Sequence, residues 1–134
     1  MTRYRKLHGA LGFAAVLALG TPGLAGAQDA QIDTALQHAR FAAKAEDVKG
    51  VHTHLQHVVN CLSGSGGLGF DANALNPCQD MGGGAIPAAK GSRKEKLEDA
   101  LNEAIVGLNV KAYAPAHETA QAVAATLEEA RGSR

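Results

Sequence analysis

The sequence predicts an all-α protein, an antiparallel four-helix bundle made of two helical hairpins. Apolar residues recur at spacings of three and four in four separate segments, as they do along one face of an α-helix. Residues 63–93, between the second and third segments, are rich in glycine and lack this periodicity. We therefore expect them to form a long loop that joins the two hairpins.

The N-terminus has the pattern of a secretory signal peptide. Three basic residues precede a short apolar run, residues 11–19, which is too short to span a bilayer. The small residues Ala-Gly-Ala at 25–27 suit a cleavage site, so we expect residues 1–27 to be removed before Gln28. The protein is then expected to be periplasmic or secreted, with residues 28–134 as a single domain.

The charge of the exported part argues against nucleic acid as a partner. Residues 28–134 contain ten basic and 13 acidic residues, a net charge of −3 with neutral histidine, and no tryptophan. Nucleic acid binding requires a basic surface, which this composition does not offer. No later segment has the length and apolar character of a membrane span, so none is expected after signal cleavage.

The first two periodic segments predict helices over residues 28–47 and 51–62, with Lys49 and Gly50 at the turn. The first helix carries a second apolar stripe at Phe41, Ala45 and Val48, which predicts burial on both sides or a covering loop. The main stripes of the two helices contain Ile32, Leu36, Ala39 and Ala43, and Val51, Leu55, Val58, Val59 and Leu62.

Three histidines lie in the second predicted helix. His52 and His54 fall at opposite edges of its apolar stripe, and His57 points away from the stripe. His54, His57 and Cys61 share a face because they are spaced i, i+3 and i+7. That face can hold a ligand, or it can be the surface on which the following loop lies.

The two cysteines, Cys61 and Cys78, both follow the predicted signal peptide. An even number of cysteines in an oxidising compartment predicts a disulfide, which contributes about 3 kcal/mol in the chain-entropy model. Thiolate ligation of a metal is the alternative. Phe70 and Leu75 are expected to tuck the loop onto the helices, and its second half, residues 79–93, is expected to be mobile.

The second hairpin is predicted from residues 94–110 and from a helix that begins near Pro115 and ends at Gly132. Ser92 and Glu95 have the spacing of a capping box before the first of these helices. Residues 35–62 also align without a gap with residues 100–127, which predicts an internal repeat of one hairpin. The identical pairs are Ala35/Ala100, Leu36/Leu101, Ala39/Ala104, His52/His117, Gln56/Gln121, Val58/Val123 and Leu62/Leu127.

The repeat places His52 and His117 at one end of the predicted bundle, because its second and fourth helices run parallel. Imidazoles with nearby carboxylates suit Cu(II), Zn or Ni. The residues that could complete such a site are Glu46, Asp47, Glu118 and His54. His54 and His57 could also bind a metal weakly on their own, or be solvated or packed under the loop. The alternative is that His52 and His117 are only polar residues near helix starts. His38 stands alone in the first helix and is expected to be exposed.

Haem and catalysis are not expected. The chain has no Cys-x-x-Cys-His motif, and Met81, the one methionine after the signal, lies in a glycine run. The Glu-x-x-His pattern of di-iron bundles, phosphate-binding loops and hydrolase motifs are all absent from the sequence. Nothing in it nominates a nucleophile, so we do not expect an enzyme.

The segment from Ala35 to His57 resembles small periplasmic metal-binding proteins of the His-rich four-helix type, through its alanine-rich helices and its His-x-His and His-x-x-His steps. That resemblance implies a helical bundle that binds transition metals, here with modest capacity. Residues 56–62, 76–78 and 83–86 also look like the signature of an exported family with no assigned activity.

Two functions follow from the sequence. The first is an exported, non-enzymatic helical-bundle protein that binds a transition-metal ion through histidines on its helices. The second is a structural or protein-interaction module of the cell envelope that binds no metal and meets an unknown protein partner.

Overall fold

The computed structural model describes residues 23–133 of the chain. Five helices and no strand occur among these residues, so the all-helical prediction is confirmed. Most of the predicted signal peptide lies outside the described residues. No helix in this part of the chain combines the length and apolarity that a membrane crossing requires. The helices are α1 (Leu24–Ala42), α2 (Val48–Ser63), α3 (Ala85–Ala88), α4 (Gly91–Asn109) and α5 (Tyr113–Gly132).

The boundary between the first two helices differs from the prediction because Asp47 has a capping role. Its backbone is extended, and its carboxylate accepts a hydrogen bond of 2.7 Å from the Gly50 amide. A carboxylate in this position satisfies an amide that the first helical turn leaves free, so α2 begins directly afterwards at Val48. The predicted turn at Lys49 and Gly50 is therefore wrong, since both residues belong to the helix.

The predicted capping box before α4 is also wrong. The helix begins at Gly91, and Lys90, which has extended backbone, precedes it without a side-chain cap. Residues 79–93, expected to be mobile, contain α3 and the first residues of α4, and Ala85 and Ala89 are buried. The apolar side chains of this segment therefore tie it to the core.

Small apolar side chains form much of the core. The α1 helix packs on α2 and α5, and α4 packs on the same two helices. Every position of the two predicted apolar stripes except Ala43 is buried. The fully buried members of the core include Ile32, Ala35, Ala39, Val51, Leu55, Val58, Val59, Leu62, Leu97, Ala104, Ala120, Val123 and Leu127.

Polar contacts fix the relative positions of the helix ends. In the first half of α1, Asp29 lies 2.7 Å from Arg93 of α4, and in its middle Asp33 lies 2.6 Å from Arg131 near the end of α5. Beyond the end of α1, the Tyr113 hydroxyl at the start of α5 donates to the Ala45 carbonyl at 2.8 Å. The pair of Asp33 and Arg131 is exposed, and an exposed ion pair contributes about 0–1 kcal/mol, so it orients the helices more than it stabilises them.

The disulfide between Cys61 and Cys78 is present, as predicted, with the two Cα atoms 5.1 Å apart. It joins α2 to the long segment that follows it. The chain returns past the end of α2 at very close range, where Gly64 and Gly84 both have positive φ. A Cβ on Gly64 would lie 1.9 Å from the Gly83 carbonyl oxygen, so the crossing requires glycine.

The buried Asn60 side chain holds the loop to α2. Its amide nitrogen donates to the carbonyls of Asp71 and Leu75 at 3.0 and 3.2 Å, and its oxygen accepts from the Asp71 amide at 3.0 Å. The Leu75 side chain is 61% exposed, so the expectation that it tucks into the helices is wrong. The loop is attached there by its backbone, while the Phe70 side chain is half-buried as expected.

Replacing Asn60 by Ala should lower the free energy of unfolding by about 2–3 kcal/mol, because loop groups at Asp71 and Leu75 lose their partners. Urea unfolding followed by circular dichroism measures the change. The matched control is Asn102→Ala on the exposed side of α4, which should change stability by about 0.5 kcal/mol or less. Equal effects of the two substitutions would contradict the anchoring role of Asn60.

Candidate functional site

Three histidines from two helices converge at one point on the surface of the protein. The Nδ1 atom of His38, on α1, lies 3.2 Å from Nδ1 of His54 and 3.2 Å from Nδ1 of His57, both on α2. One potential ligand atom from each residue lies within 4.8 Å of the other two. We refer to His38, His54 and His57 as the histidine cluster.

Helix geometry explains this convergence. His54 and His57 are three residues apart, so their side chains project from neighbouring positions on one face of α2. His38 reaches them across the interface between α1 and α2. Phe41, one turn further along α1, packs edge-on against His38 and at a tilt against His54, with ring centroids 5.6 and 5.3 Å away. The aromatic ring restricts how the two imidazoles can turn.

The spacing of the nitrogen atoms matches the requirement of a metal ion. Two nitrogen ligands about 2.0–2.1 Å from a tetrahedral ion lie about 3.3 Å apart. The two Nδ1 separations of 3.2 Å are close to this value. Among residues 23–133, this is the one group of at least three histidine, cysteine, aspartate or glutamate side chains that close together.

Hydrogen bonds among the three imidazoles cannot satisfy every facing nitrogen atom of the histidine cluster. Each neutral imidazole has one N–H and one nitrogen lone pair, so Nδ1 of His38 can either donate or accept. Its single proton or lone pair faces two other Nδ1 atoms, at His54 and His57. No assignment of tautomers gives both contacts a full hydrogen bond, whereas a cation can accept a lone pair from all three rings.

Burial and mutual repulsion keep the cluster uncharged. His57 is only 8% exposed, although its position points away from the apolar stripe of α2. Burial, with the neighbouring His57 and His54, lowers the pKa of His38 to about 4. Burial also lowers the pKa values of His54 and His57, with a further contribution from His54 to that of His57. The neutral imidazoles have the protonation state that metal ligation requires.

The structure places the other predicted ligands outside this cluster. His52 is half-buried, and its Nε2 lies 2.8 Å from the Val110 carbonyl, to which an Nε2–H donates. The ring of His117 lies against Tyr113, with a centroid distance of 5.4 Å. Neither histidine belongs to a close group of three potential ligands within the described part of the chain, so their shared site stays a sequence prediction.

The three predicted carboxylates are likewise not part of the cluster. Asp47 caps α2, while Glu46 and Glu118 are exposed. Of the seven predicted metal ligands, the structure brings together His54 and His57. The third member, His38, was expected to be isolated and exposed, and this expectation is wrong because it is half-buried against two other imidazoles.

A sequence signal for His38 does exist. His38, Phe41 and Ala45 are spaced i, i+3 and i+7, the same spacing as His54, His57 and Cys61. The second apolar stripe of the first predicted helix therefore includes a histidine. Consecutive helices of a hairpin pack side by side, so two such stripes can meet at their seam.

Comparisons of the chain with protein-family models, with curated protein sequences and with solved structures found no match.

Acid should destabilise the metal-free protein through His38. Between pH 6.5 and about 4 the unfolded chain binds a proton that folded His38 does not, so stability falls as pH falls through this range. Urea unfolding at pH 7.5 and 4.5 measures the loss. In His38→Gln this contribution is absent, so the free energy of unfolding of the variant should fall less than that of the unmodified protein between pH 7.5 and 4.5. An NMR titration of His38 with a midpoint near 6.5 would contradict this prediction.

Proposed function

We propose that this protein is an exported, non-enzymatic protein that binds a transition-metal ion through His38, His54 and His57. The observation that carries the proposal is the convergence of three neutral imidazoles on one point, with Nδ1 of His38 3.2 Å from Nδ1 of each of the other two. Imidazole is a preferred ligand of copper, zinc and nickel, and these are the ions we propose.

Preorganisation supports this proposal. The rings are held by helix backbone, by the α1–α2 interface and by Phe41, so binding an ion requires little ordering of the ligands. Half-buried positions of His38 and His54 leave the cluster a path to solvent, while His57 is nearly enclosed. An ion can therefore enter from the side of Phe41, where the surface forms a shallow depression that also includes Lys44.

The proposal extends to the arrangement of the helices and to the location of the protein. An antiparallel four-helix bundle of two hairpins, α1–α2 and α4–α5, is supported by the ion pair of Asp33, in the middle of α1, with Arg131 near the end of α5. The hydrogen bond of Tyr113 to Ala45 joins the start of α5 to the residues just beyond the end of α1. Export is supported by the disulfide, since such bonds persist in oxidising compartments.

The alternative function is an interaction module without metal. One observation favours it: Leu68 and Val106 are 66% and 59% exposed, and large exposed apolar side chains are common at protein interfaces. Metal titration separates the two functions, because an interaction module does not require an ion.

Titration with Cu(II), Zn(II) or Ni(II) should give one bound ion per chain and raise the thermal midpoint. An ion that binds only the folded state adds about 2.7 kcal/mol at a free concentration of 100 times its dissociation constant. Isothermal calorimetry and thermal unfolding at pH 7.5 measure the two effects. In His38→Ala/His57→Ala, the shift should disappear, since a single imidazole of the cluster remains.

The matched control is His52→Ala/His117→Ala, which removes the same number of imidazoles elsewhere in the protein. This control should keep the full metal-dependent shift. Loss of the shift in the control alone would place the ion at His52 and His117 instead. Absence of any shift in the unmodified protein with all three metals would contradict metal binding and favour the interaction module.

A further inference from the structure

We propose that the thioether of Met81 is a further ligand of the ion held by the histidine cluster, and that the completed site selects Cu(I). This inference rests on the proposed function, because it takes the three imidazoles as the first ligands. It adds a residue from the loop to a site otherwise formed by α1 and α2.

The position of Met81 is known from its contact with α1. The hydroxyl of Thr34 lies 3.7 Å from the Met81 sulfur. Thr34 is four residues before His38, so the two project from the same face of α1, about 6 Å apart along its axis. Phe41 lies on the other side of His38. The histidine cluster is therefore flanked along α1 by an aromatic ring and by a thioether.

The disulfide fixes the segment that contains Met81 to the same groove between α1 and α2. Cys78 is bonded to Cys61, which is one turn beyond His57 on α2, and its sulfur lies 3.8 Å from the Gln31 carbonyl on α1. The Met81 amide donates to the Cys78 carbonyl at 3.0 Å. The loop thus reaches Met81 with its backbone anchored one to two helical turns from the cluster.

The contact of the Met81 sulfur with Thr34 is weak enough for an ion to replace it. The Thr34 hydroxyl donates to the Ala30 carbonyl at 2.8 Å, so the longer contact with sulfur is the weaker of the two. Methionine has three rotatable bonds and a polarisable sulfur, which lets a change of rotamer move the thioether by several ångströms. Met81 is half-buried, so this movement starts from a site already partly screened from solvent.

The chemistry of the ligand set points to the ion. A thioether is a soft ligand that binds Cu(I) well, while Zn(II) and Ni(II) bind well to imidazole alone. Within the described part of the chain, no histidine, cysteine, aspartate or glutamate joins the three imidazoles as a fourth ligand. A fourth ligand of soft character would therefore distinguish Cu(I) from the other ions.

The test compares Met81→Leu, which removes sulfur but keeps an apolar side chain of similar size, with the unmodified full chain. Affinity for Cu(I), kept reduced by ascorbate and measured by competition with bicinchoninate, should fall by about tenfold or more. Affinity for Zn(II) should change by no more than about twofold, because the three imidazoles are intact. The His38→Ala/His57→Ala variant should lose both affinities.

Two results overturn the proposal without affecting the histidine site: unchanged Cu(I) affinity in Met81→Leu, or equal losses for Cu(I) and Zn(II). Failure of the unmodified protein to bind either ion contradicts the proposed function itself. X-ray absorption of the Cu(I)-loaded chain gives a second measurement that does not depend on the variant's stability. It should show a sulfur ligand beside nitrogen, and a copper site with nitrogen ligands alone would overturn the role of Met81.

Discussion

The packing of α1 against α2 is the constraint on which the rest of the structure depends. Ala35, Ala39 and Ala42 are fully buried on α1, and short side chains allow two helices to approach closely. Because the helices are close, imidazoles from both reach a common point instead of extending separately into solvent. A bulkier side chain at Ala39, next to His38, would separate the helices and the ligands together.

The loop has a similar dependence on α2. Three groups attach it there: the side chain of Asn60, the disulfide of Cys61 and the close crossing at Gly64. The first two lie about one helical turn beyond His57, and the third directly follows the end of α2. The same stretch of α2 therefore positions both the histidine cluster and the only long connection between the described helices. The Asn60 side chain can be fully buried there because its polar atoms bond to the loop backbone.

Periodicity made the helical fold predictable, and the even number of cysteines made the disulfide predictable. Periodicity is a property of a short segment, and the number of cysteines is a count over the chain, so a single sequence contains both signals. Helix limits were harder to predict from the sequence. Asp47, which the sequence suggests as a metal ligand, caps α2 and so sets where that helix begins. The partner of a histidine depends on how two helices are rotated about their axes when they pack. The sequence predicts that His54 and His57 share a face, but their contact with His38 depends on tertiary packing.

The proposed repeat has a physical aspect that does not depend on ancestry. Five of its identical pairs, among them Ala39 with Ala104 and Leu62 with Leu127, are buried at both positions. Equivalent positions in two hairpins that face one core have the same limits on size and polarity. Residues can therefore coincide because they fill equivalent space. His52 and His117 are half-buried and have different partners, so core packing does not account for that pair.

The histidine cluster and the disulfide are also two cross-links of nearly equal span. The disulfide joins residues 17 apart, and a bound ion would join His38 to His57, which are 19 apart. The two closures meet on α2, at His57 and Cys61, one turn apart. An occupied site would therefore divide the chain from 38 to 78 into two consecutive short rings that share this helix. The disulfide persists in the unfolded chain and restricts its ensemble by about 3 kcal/mol in the chain-entropy model. An ion that binds only the folded state would instead stabilise the protein by mass action, by an amount that grows with the free metal concentration.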